Sequence, residues 1–240
     1  MDFPGGKGCK LKRKGSYTIE IMEVMEKRHS VRQYKDSPID ENTREILNDC
    51  AKELSEEGKL SIQIIYDEPS CFDSRLAHYG KFENVKNYIV IAGKKDETLS
   101  ERAGYYGELL VLKAQELGLN TCWVALTHGK SKAVLKQGEK EVILIALGYG
   151  KNEGSVHRNK AIGQIADGYD EGPEWYKRGI EAALLAPTAV NQQKFKLTLL
   201  DENTVKASIQ GIGPYLKLDL GIVKCHFELG AGKENFKWSE

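Results

Sequence analysis

The chain repeats one order of elements at two distant places, and this repetition limits the fold more than any single motif does. Residues 44–68 and residues 178–202 each predict an apolar helix, a polar joint and then a strand. Farther along, ranges 107–118 and 221–232 each begin and end with glycine and enclose an apolar helix. Because both similarities occur in the same order, we interpret the chain as a degenerate internal duplication.

This interpretation divides the chain into three parts. We predict a flexible basic tail over residues 1–17, a first half over 18–165, and a truncated second half over 166–240 that packs on the first. Helices are predicted over about 19–27, 40–58, 102–117, 173–184 and 218–229, with a short one near 131–136. Strands are predicted over 61–66, 88–93, 121–126, 141–147 and 195–200.

Charge and composition argue against several kinds of partner. The 240 residues include 35 Lys+Arg and 35 Asp+Glu, so no net field attracts nucleic acid or an anionic membrane. Residues 7–14 are locally basic, and we interpret them as a solvated terminus, with a helper role in anion binding as the alternative. We find no secretory signal, no apolar run long enough to span a bilayer, and no CxxC pair among five cysteines, whose odd number fits no closed disulfide framework. We therefore expect a reduced, cytoplasmic protein.

Two polar segments about 160 residues apart carry the candidate chemistry. Arg28, Ser30 and Arg32 alternate, so in an extended segment their side chains point the same way. Two guanidiniums and a hydroxyl can bind a phosphate dianion through charge-assisted hydrogen bonds, and His29 between them can add a ring donor. The second segment, Ala186–Gln193, follows an apolar helix. The alternative for each segment is an ordinary polar turn.

The two copies differ in complementary ways. The first copy has Ser55–Lys59 where the second has Ala186–Asn191, and the second copy has no counterpart of the basic segment Arg28–Arg32. Each half retains what the other lacks. We therefore expect one complete site per chain and a second, vestigial one.

These segments resemble the two signatures of the nitroreductase family. Arg28–Arg32, followed by Tyr34, Lys35 and Pro38, is similar to the family's phosphate-binding signature, and Ala186–Gln193 is similar to its A-P-S-x-x-N-x-Q-P-W motif. Further similar stretches are Leu117–Trp123 and Ile145–Gly150, and the cations Arg158 and Lys160 fall where the family places more positive charge at the phosphate. The resemblance extends over about residues 20–235.

The resemblance implies a role for the second segment as well. Thr188 would bind the ribityl chain of FMN, and Asn191 and Gln193 would bind the ring edge, because their hydroxyl and amide groups suit the oxygens and nitrogens there. Pro187 would keep neighbouring N–H groups available. Lys194-Phe195 departs from the family's Pro and Trp.

Two aromatic residues are candidates for the substrate pocket. Tyr105 and Trp123 could line it, with packing as the alternative for each. The segment Trp123–Leu126 lacks the Pro, Glu and Gly that some family members have beside the flavin.

The resemblance further implies an α+β nitroreductase-like fold, with a mixed, mostly antiparallel sheet flanked by helices and pseudo-twofold halves. It also implies ping-pong chemistry: NADH or NADPH delivers hydride to N5 of FMN and leaves, and a nitroaromatic, quinone or similar acceptor follows. We expect a monomer that acts as an intramolecular pseudo-dimer, and no metal, because the five histidines are dispersed. The alternatives are a flavin sensor or storage protein of this fold, a cofactor-free interaction protein, and a reductive dehalogenase.

Overall fold

The structure, a computed structural model, describes residues 17–239, with side chains from residue 21 onward. The basic residues at 7–14 lie outside the described part of the chain. The helices are α1 (Tyr17–Lys27), α2 (Glu41–Gly58), α3 (Arg75–Tyr79), α4 (Leu99–Glu116), α5 (Ile162–Ile165), α6 (Glu174–Leu184) and α7 (Leu216–Ala231). The strands are β1 (Ser61–Ile65), β2 (Asn87–Lys94), β3 (Asn120–Val124), β4 (Glu139–Gly148), β5 (Ala166–Asp167), β6 (Phe195–Leu199), β7 (Thr204–Ile209) and β8 (Lys237–Trp238).

The first four strands form an antiparallel sheet in the order β1-β2-β4-β3. The sheet is covered on both faces, which explains the continuous apolar run of β2. Ile89 and Ile91 pack into the large core formed with the helices. Tyr88 and Val90 point to the opposite face and pack in a second cluster that contains Phe72.

The second sheet has the order β5-β6-β7-β8. Its central pair, β6 and β7, is antiparallel, and the two short outer strands are parallel to their neighbours. The α+β class with mostly antiparallel pairing is therefore confirmed, although the strands form two sheets rather than one. Strands β5, β7 and β8 were not predicted. β5 and β8 have only two residues each, and β7 has a short alternation of Val205, Ala207 and Ile209 that was missed.

The two helices α4 and α7 cross at two glycines. A β-carbon on Gly104 would overlap the carbonyl oxygen of Leu218, and one on Gly221 would overlap the carbonyl oxygen of Glu101. Gly104 and Gly221 are 117 positions apart, and so are Glu101 and Leu218. The contact of Gly104 with Leu218 therefore corresponds to that of Gly221 with Glu101, as in a pair of helices related by a two-fold axis. The equivalent of Gly221 is thus Gly104, one helical turn before the Gly107 that the spacing predicted.

Each crossing helix carries a further helix on its outer side: α2 packs on α4, and α6 packs on α7. The N-terminus of α2 is as predicted, since the Asp40 carboxylate accepts the backbone N–H of Thr43 at 3.0 Å. The division of the chain at residues 165 and 166 stays a prediction.

The helix predicted near 131–136 is wrong. Tertiary hydrogen bonds hold this segment in a non-helical conformation: the backbone N–H of Lys132 donates to the Tyr88 hydroxyl, and that of Val134 donates to the Gln63 side chain, both at 3.0 Å. These partners come from strands β1 and β2, so local sequence did not reveal them.

The cysteines are buried where the structure describes them. Cys71, Cys122 and Cys225 are free, whereas Cys50 is disulfide-bonded, which departs from the expectation of a fully reduced chain. Within residues 17–239 no helix is both long and apolar enough to cross a membrane. The same range contains no group of three or more side chains placed to hold a metal ion.

Candidate functional site

One cavity brings together parts of the two segments that are distant in sequence. Ser30 and Arg32 come from the first segment, and Pro187 and Thr188 come from the second. The other lining residues are Trp123, Ala125, Ile143, Ala189, Val190, Tyr215, Leu218, Asp219 and Ile222. The cavity therefore has polar groups from both segments and apolar walls from β3, β4 and α7.

The first segment is positioned by pairing with β3. The backbone N–H of Val31 donates to the carbonyl of Thr121 at 3.0 Å, and Ser30 bridges the same residue. Val31 is fully buried on one side, so its neighbours Ser30 and Arg32 face the other side, toward the cavity. The predicted alternation is thus confirmed for these two residues.

Arg28 does not line the cavity, which corrects the expectation that all three residues share one side. Its backbone N–H still donates to the carbonyl of Val24 at 3.0 Å, so Arg28 caps the C-terminus of α1 and precedes the extended segment. Its side chain is 3 % exposed, and Nε lies 3.8 Å from Oε1 of Glu108. Burial, the largest influence, lowers the pKa of Arg28, and Glu108 acts in the opposite direction.

His29 is half-buried beneath the loop that precedes α5. A β-carbon on Gly154 would lie 2.7 Å from the His29 β-carbon, so the loop closes directly over this residue. Burial, followed by the charge of Arg28 and by His157, lowers the pKa of His29. His29 is thus next to the cavity segment without lining the cavity.

The second segment has an unusual backbone. Val190, Asn191 and Gln193 have φ angles of 47°, 53° and 43°, in the left-handed region that costs an L-residue roughly 1–2 kcal/mol. Hydrogen bonds hold the loop in this shape: the Gln193 N–H donates to Oγ1 of Thr188 at 3.0 Å, and Gln193 Nε2 donates to Oδ1 of Asn191 at 2.7 Å. The loop is therefore constrained by its own side chains.

The predicted cations Arg158 and Lys160 contact this loop instead of lining the cavity. The Arg158 carbonyl accepts the side-chain amides of Asn191 and Gln193, at 2.8 and 2.9 Å. Lys160 donates its Nζ to the Gln193 carbonyl at 2.7 Å, and its backbone N–H donates to Gln193 Oε1 at 2.9 Å. Gln193 is buried, and both its amide nitrogen and its amide oxygen have hydrogen-bond partners. Its side chain therefore links this loop to the segment of Arg158 and Lys160 and does not face the cavity.

Asp219 borders the cavity and was not a predicted site residue. It lies in the first turn of α7, where its carboxylate accepts the Ala189 N–H at 3.0 Å and Nε2 of Gln192 at 2.7 Å. Burial raises the pKa of Asp219 to about 6, and the two hydrogen bonds act against that rise. An acid inside an apolar helix was the signal that sequence reasoning missed.

Trp123 and Tyr105, the two predicted pocket aromatics, are on different sides of α4. Trp123 lines the cavity, and its Nε1 donates to Oε2 of Glu108 at 2.9 Å. Tyr105 is buried away from the cavity, with its hydroxyl donating to Oε2 of Glu228 at 2.7 Å. Glu108 shares with Asp219 the signal of an acid inside an apolar helix.

Comparison with known proteins decides the family. A family model described as "Putative TM nitroreductase" matches residues 20–231. The chain belongs to this nitroreductase family. Membership indicates an oxidoreductase, in agreement with the resemblance of the two sequence signatures.

A solved structure that covers nearly the whole chain confirms the fold. A "putative nitroreductase" from Thermotoga maritima is 22% identical, with a TM-score of 0.65, covering 96% of this chain and 90% of its own. A "putative nitroreductase in complex with FMN" from Desulfovibrio desulfuricans is 17% identical, with a TM-score of 0.49, covering 60% of this chain and 94% of its own. Among curated proteins, none matches the chain.

Proposed function

We propose that the chain is an FMN-dependent oxidoreductase that takes hydride from NADH or NADPH and reduces a nitroaromatic, a quinone or a similar acceptor. One observation carries this proposal. The cavity joins Ser30 and Arg32 of one signature to Pro187 and Thr188 of the other, although about 155 residues separate them in the chain.

The lining residues fit FMN in their chemistry. The Arg32 guanidinium and the Ser30 hydroxyl would hold a phosphate, and the Thr188 hydroxyl would bind the ribityl chain. Trp123 and Ile143 offer apolar surface suited to a flat ring system. When bound, FMN would supply the hydride-accepting centre, and the protein's own part would be to orient the partners and exclude water.

We further propose that a single chain suffices for the site. The cavity is lined by elements from both predicted halves, β3 and β4 from the first and α7 from the second. This supports a monomeric pseudo-dimer. Sedimentation at micromolar concentration should give a mass near 26.9 kDa, and loss of flavin on dilution of a dimer would contradict the proposal.

The test is spectroscopic. Purified protein should bind FMN and be bleached by NADH or NADPH in the absence of oxygen. Arg32→Ala should raise the Kd for FMN about tenfold or more, since it removes a charge-assisted hydrogen bond. Arg75→Ala, at an exposed arginine that does not line the cavity, is the matched control. Bound flavin that neither nucleotide bleaches would favour the sensor or storage alternative, and a protein that takes up no FMN would refute the assignment.

A further inference from the structure

Trp123 forms an aromatic wall of the cavity, and a buried carboxylate holds it in place. The indole Nε1 donates to Oε2 of Glu108 at 2.9 Å. Under the ring lies Gly107, where a β-carbon would be only 2.6 Å from Cη2 of Trp123. The hydrogen bond to Glu108 and the space left by Gly107 thus fix the orientation of the indole.

Glu108 is fully buried, so it needs partners that offset the loss of water. Its other oxygen, Oε1, is 2.9 Å from Nε2 of His226 and 3.8 Å from Nε of Arg28. These partners come from α7 and from the end of α1, whereas Glu108 lies on α4 and Trp123 on β3. The carboxylate therefore connects four elements at one point beside the cavity.

The hydrogen-bond pattern of His226 shows that a proton lies between the imidazole and the carboxylate. Its Nδ1 is 3.1 Å from the carbonyl oxygen of Ala182, which can only accept, so Nδ1 carries a hydrogen. The contact between Nε2 and Oε1 of Glu108 then requires a second proton, on one atom or the other. In both cases Oε2 keeps a lone pair for the Trp123 N–H.

A nearly equivalent arrangement lies on the other side of the helix crossing. Trp238 donates its Nε1 to Oε1 of Glu228 at 2.8 Å, and Tyr105 donates its hydroxyl to Oε2 at 2.7 Å. Glu228 is also buried, at 5 % exposure. Trp238, however, packs against Phe227 and Phe236 instead of lining the cavity, so this pair is a matched control.

We propose that Glu108 is a positioning residue of the cavity: by fixing the Trp123 indole it sets the affinity and the orientation of the bound flavin. The flavin part of this inference rests on the proposed function. The anchoring of Trp123 does not, because it concerns only residues of the chain.

The first experiment needs no flavin. In a chain carrying Trp175→Phe and Trp238→Phe, Trp123 is the remaining tryptophan, because the sequence has three. Adding Glu108→Leu should increase the mobility of Trp123, seen as a faster decay of its fluorescence anisotropy. An unchanged decay would overturn the proposal.

The second experiment measures the Kd for FMN and the visible circular dichroism of the bound flavin. Glu108→Leu should raise the Kd about tenfold and change the spectrum. Glu108→Gln should stay within about threefold, because its amide oxygen accepts from Trp123 and its NH₂ donates to neutral His226. Glu228→Leu should leave both readings unchanged. Equal effects of the two leucine variants would overturn the positioning role.

A further pair of variants covers the case in which Glu108→Leu does not fold. Trp123→Phe keeps a ring but lacks the N–H, and should raise the Kd about fivefold, whereas Trp238→Phe should not. No difference between them would overturn the proposal. If wild-type protein binds no FMN, the proposed function fails, and the anisotropy experiment alone decides the role of Glu108.

Discussion

On each side of the α4–α7 crossing a buried glutamate accepts a hydrogen bond from a tryptophan, but only one of the two tryptophans lines the cavity. We call the two sides the Trp123 side and the Trp238 side, after the tryptophan that each glutamate binds. On the Trp123 side, the indole borders a cavity. On the Trp238 side, Phe236 stacks on Trp175 with ring centres 5.7 Å apart, and the aromatic cluster fills the space.

The joints between helix and strand explain this difference. On the Trp123 side, the joint is the strained loop around Val190, which hydrogen bonds to Asp219 tie to the first turn of α7, and this loop borders the cavity. The corresponding joint, Ser55–Lys59, lies directly on α4, since a β-carbon on Gly58 would be 2.7 Å from Cδ2 of Tyr106. A short joint closes the space, and a longer polar loop keeps it open.

The largest expected effect is the loss of stability on substituting the two glycines at the helix crossing, which both sides share. Gly104→Ala and Gly221→Ala should each lower the free energy of unfolding by about 3 kcal/mol, because each new methyl group would overlap a backbone carbonyl of the other helix. Urea unfolding measures this. Gly163→Ala is the control, as nothing lies within 4 Å of a β-carbon there. A loss in only one of the two crossing variants would show that the crossing is not symmetric.

The next effect differs between the two sides, because it concerns the cation that lies near each glutamate. Arg28 and Lys233 lie at similar distances from their glutamates, 3.8 and 3.9 Å, but the first side chain is 3% exposed and the second 44%. Arg28→Ala should therefore cost about 3 kcal/mol, and Lys233→Ala less than about 0.5 kcal/mol. Chemical unfolding of both variants is the measurement. Equal small losses would mean that Arg28 does not stabilise Glu108.

Asp219 should give the Trp123 side a pH dependence. Its pKa is raised from 3.8 to about 6, so the folded protein binds a proton more tightly than the unfolded chain does. This contribution to stability is fully present below pH 3.8 and is lost as the pH rises through 6. Asp219→Asn should remove it, so the unfolding free energy should change by about 3 kcal/mol less between about pH 4 and 7 than it does in the wild-type protein. Parallel curves for the two proteins would contradict this.

The smallest effect compares the two joints. Val190 and Lys59 have left-handed φ angles of 47° and 50°, but a β-branched side chain is the more strained of the two. Val190→Asn should stabilise the protein by about 0.5–1 kcal/mol and Lys59→Asn by less, because asparagine tolerates this region. Thermal unfolding suffices as the measurement. A loss of stability in Val190→Asn would show that the valine makes contacts that offset its strain.

Sequence reasoning succeeded where a signal is local. The Asp40 cap, the apolar run of β2 and the alternation of Ser30 and Arg32 each depend on neighbouring residues, and the structure has all three. It failed for Arg28, because the helical hydrogen bond to Val24 continues one residue past the predicted end of α1.

Other features depend on partners that are distant in sequence. Asn191 and Gln193 have the donors and acceptors that the motif suggested, but the Arg158 carbonyl, 33 and 35 positions earlier, takes their amide hydrogens. Glu108 and His226 meet across 118 positions. No pattern within one segment reveals such pairs. The only local signal was a polar residue, Glu108 or His226, within an otherwise apolar helix.

The reciprocal glycine contact has a consequence for synthesis of the chain. Gly221 leaves the ribosome 117 residues after Gly104, which at typical rates is on the order of ten seconds. During that interval the strands of the first sheet can pair, but the face of α4 that carries Gly104 and Glu108 is not yet covered by α7. A nascent chain therefore exposes a largely apolar face of α4 until α7 covers it, and chaperone demand should be greatest in that window.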